Sequence, residues 1–161
     1  MLEQAGVEAG ESFTVNSNGS VAQNQNTSKW MQEVNTTIEF QKDARAAYEK
    51  YGPTAKTVNE LENNVDKTLS KKWGEIEVAG TTNSSGNVEI KPDPNPYTRE
   101  ATRRHENVHR QTTMEGVAKY GKDTPAFKKW WYNPQRWASD EVKAYSAGIS
   151  YLEEVLRTTK N

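Results

Sequence analysis

From Ser28 to Tyr51 apolar residues recur at mixed three- and four-residue spacing: Trp30, Met31, Val34, Ile38, Ala44, Ala47, Tyr48 and Tyr51. That is the period of one face of an α-helix. Ser28 is a good N-cap, and Gly52-Pro53 ends the run. Pro53 opens a second predicted helix, in which Val58, Leu61, Val65 and Leu69 stand at near-heptad spacing. A tight turn between the two makes an N-terminal helical hairpin.

The period then changes. Residues 73–79 (WGEIEVA) and 88–91 (VEIK) alternate, and residues 83–87 (NSSGN) between them are turn chemistry, which predicts a β-hairpin. Pro92, Pro94 and Pro96 stop it. With Asn95 as cap and Pro96 in the first turn, a long helix is predicted to Tyr120, closed by Gly121. Residues 122–138 (KDTPAFKKWWYNPQRWA) read as an irregular aromatic and basic connection, and Ser139 caps a last helix reaching about Thr158. The fold class expected is α+β: a mainly helical domain with a small β-hairpin ahead of the long helix. Residues 30–161 are expected to form that single domain.

Residues 1–29 fit none of these periods. They are rich in Gln, Asn, Ser, Gly and Glu, which predicts a flexible or loosely attached segment, with Ser12–Val15 as a candidate strand. This linker-like start, together with Met1-Leu2-Glu3, predicts a piece of a longer polypeptide. A hydrophobic content of 33% and a mean hydropathy of -1.01 agree with part of the chain standing outside any core.

A length of 161 residues suits one domain. Lys and Arg number 21 against 22 Asp and Glu, a net charge of -1, so no basic field advertises nucleic acid. There is no apolar run long enough for a spanning helix and no signal-peptide pattern at the start. Cysteine is absent, which removes disulfides, thiolate metal sites and a cysteine nucleophile.

The chain has two histidines, and their placement carries the chemistry. His105-Glu106-Asn107-Val108-His109 is an HExxH motif. At about 100° per residue, Tyr97, Ala101, Val108, His109, Thr112, Gly116 and Tyr120 fall within roughly 80° of His105, so both histidines share the buried face. One helical turn brings two imidazoles to a common point, where Zn²⁺ takes a nitrogen from each. Glu106 projects to one side, placed to accept a proton from water. The competing reading is two coincidental histidines on an amphipathic helix.

With no third His and no Cys, a third zinc ligand has to be Asp or Glu. On the last helix, Ala144, Tyr145, Gly148, Ile149, Tyr151, Leu152, Val155 and Leu156 fall within roughly 80° of Glu141, so Glu141 heads an otherwise apolar stripe. A carboxylate entering a core needs a cation. The competing reading is an exposed first-turn acid favoured by the helix dipole, which fits Asp140 equally well. Glu115 is the rival ligand. On a continuous helix it lies about 9 Å beyond His109 along the axis, and Thr112 is β-branched and poorly suited to a break there.

Together these residues resemble the zincin metallopeptidases, in the branch whose third ligand is a Glu on a second helix (gluzincin-like). Glu141 with Ala144 one turn on is similar to the ExxA-type ligand helix of that branch. Residues 104–110 (RHENVHR), 140–145 (DEVKAY) and 148–152 (GISYL) also resemble metallopeptidase domains of bacterial secretion-delivered effectors. Arg104 and Arg110 flank the motif where peptidases usually carry uncharged residues.

The resemblance implies a zincin-like domain with His105, His109 and Glu141 on Zn²⁺ and Glu106 as the base. It implies a hairpin strand that pairs with an extended peptide or protein substrate; the competing reading is a hairpin that only covers the core. It also implies release into the periplasm or another cell, and an immunity protein as a partner. Tyr120, Tyr132 and Tyr145 are candidates to donate to a developing oxyanion; Tyr145 shares the Glu141 face and is the choice. The aromatic connection reads as wall or core, not as a nucleic-acid surface. Two other functions compete: a different zinc hydrolase, such as a peptidoglycan amidase, and a non-catalytic zinc-stabilised binding module.

Overall fold

The chain's structure, a computed structural model, describes residues 19–159. The candidate strand Ser12–Val15 lies outside the described residues. Among the described residues, five α-helices and one two-stranded antiparallel sheet follow in the order α1 (Gly19–Tyr51), α2 (Val58–Trp73), β1 (Gly80–Thr82), β2 (Val88–Ile90), α3 (Pro96–Tyr120), α4 (Pro125–Trp131) and α5 (Pro134–Thr159). This is a mainly helical α+β fold.

α1 and α2 pair as the expected hairpin, with two corrections. α1 begins at Gly19, well ahead of Ser28, so residues 19–29 are helical. Once a helix has nucleated, each added residue gains a hydrogen bond, and Ala and Gln propagate it at little cost. Pro53 does not open α2; it sits in a 3₁₀ turn over Gly52–Thr54. The cap of α2 is Thr57, whose hydroxyl accepts from the Glu60 amide at 3.0 Å.

α2 runs through to Trp73, so residues 73–79 are not the first strand. Trp73 lies edge-on to Phe40 and donates its indole N–H to Asp43 at 3.0 Å, which keeps it on the helix. Gly74 ends the helix at φ 77°, a conformation open to glycine. The strand forms further on, with Gly80 opposite Ile90 and Thr82 opposite Val88.

α3 has the expected bounds. The Asn95 side chain caps it by accepting from the Tyr97 and Thr98 amides, and its own amide group ties it to the Trp30 carbonyl and Glu33 on α1. The connection of residues 122–138 is more regular than expected: Thr124 caps α4, and α5 starts at Pro134, where the Asn133 side chain accepts from the Arg136 amide. The cap therefore lies ahead of Ser139, which is inside the helix.

α5 is the spine. One apolar cluster joins it to α1 and α2 through Ala44, Ala47, Leu61, Val65, Leu69 and Ala138. A second joins it to α1 and α3 through Val34, Ile38, Ala101 and Leu152. Removing a buried leucine such as Leu61 costs about 2–5 kcal/mol in transfer and cavity terms. The hairpin lies across α3, over the turn that carries Glu106. No helix among the described residues is long and apolar enough to cross a membrane.

Candidate metal centre

α3 and α5 bring His105, His109 and Glu141 to one point. His109 Nε2 lies 3.2 Å from His105 Nε2 and 3.0 Å from Glu141 Oε1, and His105 Nε2 lies 3.2 Å from the same oxygen. The three atoms form a nearly equilateral triangle. Tetrahedral zinc with bonds of about 2.0–2.1 Å needs ligand atoms about 3.3 Å apart. The donor set fits Zn²⁺ in chemistry and in spacing.

The tautomer is fixed by Asp140. Its Oδ2 lies 2.6 Å from His109 Nδ1, and Thr112 donates to its Oδ1 at 2.5 Å. An ionised carboxylate only accepts, so Nδ1 carries the proton and Nε2 turns its lone pair towards Glu141. Acceptor atoms facing one another repel unless a proton or a cation lies among them. With protein groups alone, the proton is the answer. Burial opposes charging His109, but Asp140 and Glu141 outweigh it and raise its pKa to about 10. Burial would raise Glu141, but its bonds to both histidines bring it down to about 2. A divalent cation satisfies all three acceptors at once.

The competing reading, an exposed first-turn acid, does not fit Asp140: it is 7% exposed, because α5 begins six residues earlier and sets it directly behind His109. Carboxylate–histidine pairs of this kind orient metal ligands. Arg136, one turn before Asp140, stands 3.9 Å from its Oδ2. Burial lowers the Arg136 pKa. Its guanidinium lies over the Trp130 and Trp131 rings and donates to the Trp130 and Trp131 carbonyls. The aromatic connection thus packs as wall and core: Phe127 and Trp131 are buried.

Glu106 is buried beside the triangle, with Oε2 3.9 Å from His105 Nε2. Thr82 donates to its Oε1 at 2.7 Å. Gly80, two residues before, passes so close that a Cβ there would meet Glu106 Cγ and Thr102 Cγ2 at 3.0 Å. The strand therefore holds the carboxylate from above. Asp140, Thr82 and Thr112 were missed in the sequence. Only the His109–Asp140 contact left a trace there, as an acid adjoining Glu141.

Tyr145 lies edge-on to His105, ring centroids 4.5 Å apart, and stacks on Tyr48 at 6.0 Å. Burial first, then the Glu141 charge, push its hydroxyl pKa well up, so it stays protonated. Tyr120 packs on Trp130 and Tyr132 is exposed; neither lines the cleft. Glu115 is exposed on an unbroken α3 and stands apart from the triangle. Arg104 and Arg110 are exposed as well, and Arg104 pairs with Glu100 and lies over Tyr151.

The triangle opens on a cleft of about 730 Å³, lined among others by Glu106, Tyr145, Thr82, Trp131, Trp137 and Glu62. The chain matches no protein-family model, no curated protein and no solved structure.

Proposed function

We propose that the protein is a zinc-dependent peptidase of the gluzincin-like kind, with His105, His109 and Glu141 as metal ligands and Glu106 as general base. The observation that carries this reading is the set of three donors 3.0–3.2 Å apart beside a buried glutamate, at the floor of an open cleft. Zinc bound there supplies a water acidified to about pKa 7 and polarises a carbonyl. Glu106, held by Thr82, takes the proton of the attacking water and passes it to the leaving amine. Asp140 keeps His109 in the tautomer that offers Nε2. The Tyr145 hydroxyl has no partner among the described residues and donates to the carbonyl oxygen as charge develops on it.

Three protein ligands leave one coordination position for water or substrate, which favours catalysis over a closed structural site. The edge of β1 and the residues leading to it line the cleft, which suits an extended peptide paired to that strand.

The test combines metal analysis with a digest of a broad peptide mixture. One zinc per chain and metal-dependent cleavage are expected. Chelator competition ranks the ligands: Glu141→Gln weakens zinc binding strongly, while Glu115→Gln leaves it near that of the parent. The reverse ranking removes Glu141 from the site.

A further inference from the structure

The cleft's charge is one-sided. Glu62 and Asp66 from α2 and Glu77 ahead of β1 line it together with the acids of the metal centre, and Arg136 is the one Lys or Arg among the described lining residues. Its Nε and Nη2 donate to the tryptophan carbonyls behind the wall, and its Nη1, without a hydrogen bond, stands 3.9 Å from Asp140 Oδ2.

Glu62 is the informative member. Its Oε1 accepts from the Tyr48 hydroxyl at 2.6 Å, and its Oε2 accepts from the Trp137 indole N–H at 2.6 Å. Two neutral donors fix the carboxylate in place without cancelling its charge. Among the described residues it has no cationic partner within ion-pair distance. A partly buried carboxylate held in this way lacks the counter-charge that burial calls for. Asp66 stands one turn further along the same face, exposed and likewise without an ion pair among the described residues. Like charges one turn apart weaken a helix, so the pair is not explained by helix stability.

The aromatic lining points the same way. The wall thus presents the Glu62 and Asp66 carboxylates beside aromatic faces from Tyr48, Trp131 and Trp137, and its one cationic donor without a hydrogen bond, Arg136 Nη1, is buried 3.9 Å from Asp140 Oδ2 at the metal centre. The complementary guest has an apolar stem and a cationic head made only of donors. Lys and Arg side chains have that form, and their heads also stack on aromatic rings.

We propose that this cleft selects peptides with a Lys or Arg side chain beside the bond to be cut, the cationic head lying against Glu62 and Asp66 and the stem against Tyr48 and Trp137. This rests on the peptidase reading of the same site. Tyr48 connects the two: its ring stacks on Tyr145, which touches His105, and its hydroxyl holds Glu62.

The experiment measures binding apart from turnover. Zinc-loaded Glu106→Gln protein is titrated, by tryptophan fluorescence, with matched alanine-based peptides that carry one Lys, norleucine or Glu. The Lys peptide is expected to bind about tenfold tighter than the norleucine peptide, the order that one charge-assisted hydrogen bond supplies. The Glu peptide is expected to bind weakest, and the differences to shrink at high salt. Adding Asp66→Asn and Glu62→Gln should close the Lys–norleucine gap. If Glu62→Gln lowers the melting temperature, the exposed Asp66→Lys substitution is read alone, and it should reverse the order of Lys and Glu peptides. Equal binding of Lys and norleucine peptides, no peptide binding at all, or a gap that survives these substitutions overturns the proposal. Hydrolysis of the same peptides by the parent protein separates the two readings. Lys-selective binding without cleavage removes the peptidase and keeps the selectivity. Cleavage indifferent to Lys does the opposite.

Discussion

α5 passes through two interiors that differ in kind. Around Ala138 and Leu152 it meets Leu61, Val65, Val34 and Ala101, all buried and all apolar. Between those layers it presents Asp140 and Glu141 to His105 and His109, groups that are also nearly covered. In the first interior, burial itself is favourable and any well-shaped apolar residue serves. In the second, burial is a cost that only named partners remove: a proton, a hydroxyl, an imidazole, a cation. The stability of the protein and its chemistry are therefore separable by substitution, although they share one helix.

The largest separation is expected at Glu106. Glu106→Gln should reduce peptide cleavage about 10²–10⁴-fold, the range of general-base assistance, with zinc content and melting temperature retained. Steady-state rates and a melting curve decide it; cleavage near the parent rate would falsify the role given to Glu106. Leu61→Ala tests the other interior. It should lower stability by about 2–5 kcal/mol in denaturant unfolding, yet leave one zinc per folded chain. Loss of zinc from the folded variant would show that the two interiors are one cooperative unit.

Asp140→Asn is a smaller effect that belongs to the polar interior alone. It should weaken zinc about 10–100-fold in chelator competition, because His109 loses the partner that fixes its tautomer. Unchanged affinity would leave Asp140 a bystander.

The smallest effect is in pH. After chelation, His109 has a folded pKa of about 10, above its unfolded value, so its contribution is full below about pH 6.5 and is lost as pH rises through 10. The Glu141 pKa of about 2 is depressed, so its contribution is full above about pH 4.5 and is lost as pH falls through 2. Metal-free protein should melt lower at pH 9 than at pH 6. Zinc should stabilise more at pH 9, since protons compete less for His109 there than at pH 6. Melting curves with and without chelator at both pH values check this; parallel shifts would mean that His109 is neutral before metal arrives.

Local signals carried far. The periodicity of α1, α2 and α5, the Asn95 and Gly121 ends of α3 and the one-turn spacing of His105 and His109 are legible because each depends on residues within a few positions of one another. The wheel that placed Glu141 on the apolar stripe of α5 used the same local geometry. Other features were decided by partners distant in the chain. The first strand lies at Gly80–Thr82, and not at 73–79, because Trp73 is held by Phe40 and Asp43 and because Gly80 and Thr82 fit over Glu106. Asp140 is a buried support and not a surface acid because α5 starts at Pro134 and Thr112 waits on α3. Sequence by itself determined that α1, α2, α3 and α5 are helices and which groups can ligate. Tertiary structure alone decided which charges are buried together, because that depends on the helix, strand and ring brought against each side chain, and no period within a segment encodes it.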